Sequence, residues 1–405
     1  MNRFAILATA AAAAALTAAA WPQSPHRLDG EYGLMVREHG DSVYVHWITR
    51  SAGTGYLRAF DDGRELPVSI DDAAFAHRGA FARPKAIQVR IDFGSAADST
   101  DRATTRIYFD TLPRTTAVSG VDSIFVLGDT HGEFDRVTQI LRSARLIDDS
   151  LRWTGSRAHL VFDGDMMDRG SDVTRLLWFV YGLERQALAA GGRVHVLLGN
   201  HETMVMLNDL RYTAPKELYI AQLHGVGYSK MFDTREAVLG RWLASKQGIL
   251  RVDDVLFAHG GVSTDFLGYT LQSFDDSLHT FIGEDLFYRW SDSTAIITIE
   301  RSALERRENF FLGENSVFWF RGYARSDTLD AELTKVLRRF GAGLHVIGHT
   351  PAQAIHQRYD ARVINAHPRE FATEMLLLVR GGKDWKRLRL DLQGRVTALQ
   401  RAEND

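Results

Sequence analysis

Five short stretches of the chain place acidic, amide or imidazole side chains directly after an apolar run. The first, IFVLGDTHGEFD, leads from Ile124 into Asp129 and His131. The polar residues that follow the five runs are Asp129, His131, Asp163, Asp165, Asp168, Arg169, Asn200, His201, Glu202, His259 and His349. Carboxylate, imidazole and carboxamide groups bind Mn, Fe, Zn or Mg, and residue types alone do not select among these metals. The set therefore predicts a metal site.

The apolar runs themselves have the composition of buried β-strands, namely IFVLGD, HLVFDGD, VHVLLGN, VLFAHGG and GLHVIGHT. They alternate with segments of helical periodicity, such as FDRVTQILRSARLI and VTRLLWFVYGLERQAL. This alternation is typical of an α/β domain. Because ligands of open α/β sheets bind beyond the carboxyl ends of the strands, we expect the five loops to converge on one crevice. Glycines beside most of the polar residues permit tight turns there.

Any one of these motifs alone carries little weight, since an Asp-x-His turn or a buried histidine is common without function. Their combination is harder to explain by chance, because it would leave several buried ionisable groups without partners. The five strand ends are therefore interpreted together, as one site.

The motifs GDTHG, GDMMDRG, GNHE, HGG and GHT, in this order, resemble the calcineurin-like metallophosphoesterase superfamily. The DRG and GNHE forms resemble its phosphoprotein phosphatase branch. NHETMVMLNDLRY and VFWFRGY are most similar to bacterial Shewanella-like protein phosphatases. The resemblance covers roughly residues 121–379. It implies an α/β (α+β) fold in which two mixed β-sheets pack together as a sandwich flanked by helices.

The resemblance also implies two divalent metal ions, with Mn expected and Fe, Zn or Mg as alternatives. Asp165 would bridge the two ions. The first ion would be held by Asp129, His131 and Asp165, and the second by Asp165, Asn200, His259 and His349.

Four further residues acquire catalytic roles from the same resemblance. His201 would be the general acid that protonates the leaving group, with Asp168 behind it. Arg169 would bind the phosphate, because a guanidinium can grip two phosphate oxygens. Arg321, in FWFRGY, would also bind phosphate, and stacking on the neighbouring aromatic rings is the alternative.

The expected activity is phosphomonoester hydrolysis, most consistent with a protein phosphatase for Ser/Thr and/or Tyr substrates. A hydroxide bridging the metals would attack phosphorus in line. A phosphodiesterase, or a hydrolase of nucleotides or other small phosphate esters with the same dinuclear site, is the alternative. A binding protein that retains only the fold is disfavoured, because no ligand of the set is missing.

Three nearby residues have other interpretations. Asp163 lies two positions before Asp165, so on an extended strand both would point to the same side, and Asp163 is a candidate acceptor for a ligand histidine. Glu202 is expected to support the site or the start of a helix. His367, after the short apolar segment ARVINA, is expected at the surface.

The remaining sequence divides into further segments. Residues 1–20 have the layout of a signal peptide, with Arg3 followed by an Ala-rich apolar run. Residues 26–114 contain alternating, β-like segments and predict a small β-sandwich that weakly resembles fibronectin-like domains. The catalytic domain is expected over 121–385, with an insert at 264–325 that borders the active site, and 386–405 as a C-terminal tail.

The net charge of the chain limits the kinds of molecule that it is expected to bind. The 405 residues carry a net charge of −3 without a long basic run, so nucleic-acid binding driven by phosphate neutralisation is not expected. The expected substrate is a phosphorylated protein or a small phosphate ester.

Cleavage of the signal segment would leave an exported protein, periplasmic or secreted, without stable membrane insertion. The chain has no cysteine, so disulfides and thiolate metal sites are excluded.

Overall fold

A computed structural model describes residues 33–73, 75–286 and 301–399 of the chain. The expected signal peptide at 1–20 and the aromatic segment FYRWSD at 287–292 lie outside the described residues. Within the described ranges, no helix combines the length and the apolar character that crossing a membrane requires.

The N-terminal part of the chain forms two antiparallel four-stranded sheets. Their strands are β1 (Met35–His39), β2 (Ser42–Ile48), β3 (Gly55–Asp61), β4 (Arg64–Leu66), β5 (Ser69–Ala73), β6 (Ala76–Ala82), β7 (Gln88–Ser95) and β8 (Arg102–Tyr108). The strand orders are β1-β2-β6-β5 and β4-β3-β7-β8. Alternation along β2 buries Val43, Val45 and Trp47 and exposes Tyr44, as a strand with one buried face requires. The expected all-β region is thus present, and its likeness to fibronectin-like domains stays a prediction.

Twelve further strands build the α/β part of the fold. They are β9 (Ala117–Val118), β10 (Ser123–Leu127), β11 (His159–Phe162), β12 (Arg193–Val196), β13 (Leu250–Val252), β14 (Val255–Phe257), β15 (Leu344–Ile347), β16 (His356–Arg358), β17 (Val363–Asn365), β18 (Glu374–Gly381), β19 (Asp384–Asp391) and β20 (Val396–Ala398). They form two six-stranded sheets, with orders β12-β11-β10-β18-β19-β20 and β16-β17-β15-β14-β13-β9.

The two six-stranded sheets pack against each other through their apolar faces. Val126 of β10, Phe257 of β14 and Val346 of β15 belong to one buried cluster. Strands β10, β11 and β12 are parallel in the first sheet, and β14, β15 and β17 are parallel in the second. Each sheet therefore directs the carboxyl ends of three strands to one edge, where the loops carry the candidate site residues.

Helices cover the sheets and connect the strands. They are α1 (Phe134–Ser143), α2 (Val173–Ala189), α3 (Asn200–Met206), α4 (Pro215–His224), α5 (Val238–Ala244), α6 (Leu271–Thr280), α7 (Arg301–Leu312), α8 (Gly322–Arg325) and α9 (Asp330–Phe340). Short 3-10 turns occupy Tyr228–Phe232 and Thr264–Phe266, and a π-helical turn spans Phe281–Leu286. In α1 the buried residues Phe134, Val137, Ile140 and Leu141 recur at helical spacing, which confirms the amphipathic pattern.

The N-terminal sandwich packs directly on this helical layer. Trp178 of α2 donates from Nε1 to the Leu34 carbonyl oxygen at 2.8 Å. Leu34, Trp47, Trp178 and Trp242 belong to the same buried cluster. The two parts of the chain therefore share a continuous apolar core.

The C-terminal boundary of the sequence prediction needs correction. Residues 386–405 were expected to form a tail, but β19 and β20 complete a six-stranded sheet that extends to Ala398. Strand β19 pairs with β18 over its full length, from Gly381↔Asp384 to Glu374↔Asp391. The sequence RLRLDL alternates as a half-buried strand does, and Leu390 is buried.

Glu217 of α4 is expected to make the stability of the protein depend on pH. It is fully buried and accepts hydrogen bonds from Thr174 Oγ1 at 2.6 Å and Thr174 N at 3.2 Å. Burial raises its pKa from 4.5 to about 7. The folded state therefore binds the proton more tightly, so the free energy of unfolding should fall as pH rises from about 4.5 to about 7. The loss is up to about 3 kcal/mol.

Glu217→Gln removes this ionisation while keeping an acceptor for Thr174. Thermal unfolding should show little difference from wild type at pH 5 and a higher midpoint for the variant at pH 8. Glu370→Gln, at an exposed position, is the control and should leave the pH dependence unchanged. Parallel pH profiles for wild type and Glu217→Gln would contradict the assignment.

Candidate metal centre

The loops at the carboxyl ends of the parallel strands bring all six expected metal ligands together. Each ligand is at most 5% exposed. Asp129 and His131 follow β10, Asp165 follows β11, and Asn200 starts α3 directly after the β12 loop. His259 and His349 follow β14 and β15 of the second sheet. The site therefore lies between the two sheets and takes ligands from both.

Asp165 is at the centre of the cluster. Its Oδ2 lies 3.1 Å from His259 Nε2 and 3.8 Å from His131 Nε2. One ligand atom from each of Asp165, His259 and His349 can be chosen so that all lie within 4.8 Å of one another. On the other side, His131 Nε2 lies 3.8 Å from Asp129 Oδ2. Asp165 thus faces two groups of ligand atoms at once, as a bridging carboxylate must.

The imidazoles are oriented for metal binding by backbone carbonyl groups. His131 donates from Nδ1 to the Met167 oxygen, and His259 donates from Nδ1 to the Asp163 oxygen, both at 2.7 Å. This directs the Nε2 atoms into the cluster, an arrangement that metal-binding histidines commonly adopt. Buried His349 Nε2 has no hydrogen-bond partner among the described residues. A divalent metal would satisfy these nitrogen atoms, so the residues fit the ion.

The charge states of the histidines differ. Burial lowers the pKa of His131 to about 4 and that of His349 to about 3, so both are neutral at pH 7 and free to bind metal. For His259, burial also disfavours the charge, but Asp165 and Asp129 outweigh it and raise its pKa to about 10. Metal binding at His259 therefore displaces a proton.

Five non-glycine residues of the site loops have left-handed backbone conformations. Such φ angles cost non-glycine residues about 1–2 kcal/mol each. They occur at His131 (φ 43°), Asp165 (53°), Asp168 (67°), Arg169 (63°) and His349 (61°). Neighbouring loops stabilise them, because the N–H groups of Thr130 and His131 both donate to the Asp165 carbonyl oxygen, at 3.0 and 2.9 Å. The side chains are therefore held in place before any ligand binds.

Glu202 fixes the loop that carries Asp165. Its carboxylate is fully buried. It accepts four backbone N–H bonds, from Asp165 at 2.9 Å, Met166 at 2.8 Å, Met167 at 3.0 Å and Gly199 at 2.7 Å. A Cβ atom at Gly199 would lie 2.2 Å from Asp165 Oδ1, so glycine is required there. Glu202 thus supports the site, as its position after Asn200 and His201 indicates.

Glu202→Gln is expected to lower the free energy of unfolding of the metal-free protein by about 3 kcal/mol. An amide keeps one acceptor oxygen, so about two of the four N–H groups lose their partner, at roughly 1–3 kcal/mol each. Chemical denaturation in the presence of a chelator measures the change. Glu133→Gln, at a half-exposed carboxylate, should change it by less than about 0.5 kcal/mol. A similar stability for both variants would contradict the role given to Glu202.

His201 and Asp168 form a buried pair at the edge of the cluster. His201 Nδ1 lies 2.7 Å from Asp168 Oδ2, and Thr213 Oγ1 donates to Asp168 Oδ1 at 2.8 Å. Burial opposes the imidazolium, but Asp165 and Asp168 outweigh it and raise the pKa of His201. His201 Nε2 lies 3.9 Å from Asp165 Oδ2. The ring can therefore present a proton beside the metal cluster.

Arg169 lies at the entrance to this pair. Its Nη2 is 3.2 Å from His201 Nε2. Its guanidinium carbon lies 5.1 Å from the Tyr212 ring centroid and 5.9 Å from that of Phe371. Arg169 is exposed, so its charge is accessible to an anion arriving from solvent.

Arg321 lies beside the loop that carries His349. It makes hydrogen bonds to that loop, whereas the alternative interpretation was stacking on neighbouring aromatic rings. Its Nη1 donates to the His349 carbonyl oxygen at 3.0 Å and to Thr350 Oγ1 at 3.1 Å. These bonds tie Arg321 to the backbone of an expected metal ligand. Its contact with phosphate stays a prediction.

Two expectations about nearby residues were wrong. The carboxyl oxygens of Asp163 have no hydrogen-bond partner among the described residues, and burial raises the pKa of this carboxyl well above its usual value. The acceptor for His259 is instead the Asp163 backbone oxygen. His367 is not at the surface but 4% exposed, with Nδ1 2.9 Å from Asp129 Oδ2.

The six expected metal ligands lie within a segment that matches a known protein family. The family model described as calcineurin-like phosphoesterase matches residues 123–353. Shewanella-like protein phosphatase 2 of Arabidopsis thaliana is 25% identical over 244 residues, covering 50% of this chain and 58% of that protein. Shewanella-like protein phosphatase 1 of Plasmodium berghei (strain Anka) is 26% identical over 240 residues, covering 58% and 62%. The chain thus spans less than two thirds of the length of either relative.

A solved structure is similar over more of the chain. The cold-active protein-tyrosine phosphatase of a psychrophilic Shewanella species matches with a TM-score of 0.63 and 28% identity. The match covers 78% of this chain and 97% of that one. The similarity therefore extends beyond the segment matched by the family model.

Proposed function

Because the chain belongs to the calcineurin-like phosphoesterase family, we propose that it is a metal-dependent phosphomonoester hydrolase that acts on phosphorylated proteins. The observation that carries the proposal is the position of Asp165, whose carboxylate faces two groups of metal-binding atoms. The protein phosphatases among its relatives support the substrate class. Asp129, His131 and Asp165 would hold one divalent ion, and Asp165, Asn200, His259 and His349 the other.

The residues of the chain have separate tasks in this reaction. Two divalent ions held by these ligands would supply a hydroxide nucleophile near neutral pH and would neutralise the phosphate oxygens. Arg169 binds the incoming phosphate, for which its exposed guanidinium is available. His201 gives the proton on Nε2 to the leaving oxygen, while Asp168 holds Nδ1 at 2.7 Å and favours the imidazolium form. Arg321 supports the loop of His349.

We further propose a preference for phosphotyrosine. The similar Shewanella structure is that of a protein-tyrosine phosphatase. In this chain the rings of Tyr212 and Phe371 flank the Arg169 guanidinium, and Tyr212 is 42% exposed. Aromatic side chains beside a phosphate-binding arginine favour an aryl ester through ring contacts. Phosphoserine and phosphothreonine offer no ring for such contacts.

We also propose that the bound metal is manganese and that the protein is exported. Both parts of the proposal rest on the sequence. The nitrogen and oxygen ligands suit Mn, with Fe, Zn or Mg as alternatives. The Arg3-led, Ala-rich segment at 1–20 supports cleavage and release to the periplasm or medium. N-terminal sequencing of the protein from the cell envelope fraction tests this, and a mature N-terminus at Met1 would contradict it.

The test of the activity begins with protein stripped by a chelator and reloaded with Mn, Zn, Fe or Mg. Phosphate release is then measured from phosphotyrosyl and phosphoseryl peptides and from mono- and bis-aryl phosphate esters. We expect metal-dependent hydrolysis of the monoesters, fastest for phosphotyrosine. Higher kcat/KM for the bis-aryl ester would identify a phosphodiesterase, and no release with any metal would refute the proposal.

A further inference from the structure

His367 occupies the same place in the second sheet as two of the expected metal ligands. His259 lies two residues after the end of β14, and His349 lies two residues after the end of β15. His367 likewise lies two residues after the end of β17. Strands β15 and β17 are parallel neighbours, with Ile347 paired to Asn365. His349 and His367 each lie two residues after this pair, so they are neighbours at the edge of the sheet where the strands have their carboxyl ends.

The ring of His367 is buried, and its close polar contact is with Asp129. Its side chain is 5% exposed, and neither ring nitrogen has a hydrogen-bond partner among the described residues. Leaving such a polar group unsatisfied in the interior costs about 1–3 kcal/mol. The buried ring therefore needs a group that binds an imidazole nitrogen, either Asp129 itself or an ion that both side chains bind.

The position of Asp129 indicates what that group is. His367 Nδ1 lies 2.9 Å from Asp129 Oδ2, a contact that either an ion pair or a shared metal ion can account for. Two atoms that each lie about 2.1 Å from one metal ion are roughly 3 Å apart when their bonds meet near a right angle. The same carboxylate oxygen is 3.8 Å from His131 Nε2. Both distances are compatible with atoms that bind one metal ion.

Packing holds the His367 ring in this orientation. It stacks on Phe371, with ring centroids 5.7 Å apart and an interplanar angle of 29°. Phe371 also contacts the ring of His131 edge to face at 4.5 Å. One aromatic side chain thus fixes both imidazoles that face Asp129, as the apolar surroundings of metal sites often do.

We propose that His367 is a fourth protein ligand of the first metal ion, binding through Nδ1 beside Asp129, His131 and Asp165. This inference rests on the proposed metal-dependent function. It gives the first ion three ligands besides the bridging Asp165, equal in number to Asn200, His259 and His349 on the second ion. An ion pair between an imidazolium and Asp129, with no role in metal binding, is the competing explanation.

Metal binding to His367→Asn and wild type distinguishes the two explanations. Chelator-treated protein is titrated with Mn²⁺ by calorimetry, and bound metal is counted after dialysis. Wild type should bind two ions per chain. His367→Asn should bind one ion as wild type does and the other at least about tenfold more weakly. His356→Asn is the control, because His356 lies on β16 of the same sheet and bonds to the Ala354 oxygen.

The outcomes separate this inference from the proposed function. Two ions bound by His367→Asn with wild-type affinity would overturn the inference, and a lowered stability of its metal-free form would then support the ion pair. Absence of metal binding by wild type would overturn the proposed function itself. Full binding by His356→Asn is required for either conclusion.

A measurement on wild type covers the case in which His367→Asn does not fold. The chain has 15 histidines, and ¹⁵N labelling of all of them reports which imidazole nitrogens bind Zn²⁺. We expect four zinc-bound imidazoles, from His131, His259, His349 and His367. Three would contradict the inference while leaving the other ligands in place.

Discussion

Asp165→Asn should release at least one metal ion and lower phosphatase activity by at least about 100-fold. Asp165 is the only residue that belongs to both metal-binding groups among the described residues. Its negative charge offsets the repulsion between two divalent ions about 3.5–4 Å apart. Asparagine keeps the shape, and its oxygen can still accept from the His201 N–H, which lies 3.0 Å from Asp165 Oδ1. The substitution therefore removes the negative charge and should leave the fold intact.

Metal content and hydrolysis of p-nitrophenyl phosphate are measured together on this variant. Asp275→Asn is a matched control, because Asp275 is equally buried at 1% exposure but pairs with Arg114 in another part of the fold. We expect it to retain both ions. If Asp165→Asn kept two ions and near-normal activity, Asp165 would not be the bridge.

His201→Asn should lower kcat by about 10²–10⁴-fold for a phosphate ester with a poor leaving group. Phenyl phosphate needs a proton at the leaving oxygen, whereas p-nitrophenyl phosphate leaves as a stable anion. The loss should therefore be much larger for phenyl phosphate. Metal content should stay at the wild-type value, because the His201 imidazole hydrogen-bonds to Asp168, which is not an expected ligand.

Asp168→Asn provides the matched comparison for His201. It leaves the imidazole in place but removes the carboxylate that favours its charged form. The loss should follow the same dependence on leaving group and be smaller than that of His201→Asn. Equal losses for both esters, or loss of metal from His201→Asn, would show that His201 binds metal instead of donating a proton. His201 lies close enough to His131 and Asp165 for this to be a real alternative.

Much of this site could be predicted from sequence because strand ends and glycines have local signatures. Apolar runs identify the strands, and a parallel sheet places their carboxyl ends at one edge. Asp129, His259 and His349 each follow such a run by two residues. Their convergence therefore depends on topology, which the alternation of strands and helices already predicts.

Side-chain directions within the loops could not be predicted in the same way. Asp163 and Asp165 were expected to point to one side of an extended strand, but β11 ends at Phe162. Gly164 has φ 85° and Asp165 has φ 53°, so the alternation of an extended chain does not apply. Such conformations are held by neighbouring loops rather than by local sequence.

The place of His367 in the site could not be predicted from the sequence for a different reason. Its spacing after β17 matches that of His349 after β15, so a signal was present. The segment before it, ARVINA, does not end in the Gly-flanked motif that marks the other loops. Only the pairing of β15 with β17 shows that the two histidines are neighbours.

The origin of the ligands in two different sheets has a consequence for the lifetime of the protein. Asp129, Asp165 and Asn200 come from loops of one sheet, and His259 and His349 from loops of the other. A pair of bound ions would cross-link the sheets, much as a disulfide would in a chain that has cysteine. At a free metal concentration about 1,000 times Kd, one ion adds about 4 kcal/mol to the folded state. Chelation should therefore make the chain more susceptible to proteolysis.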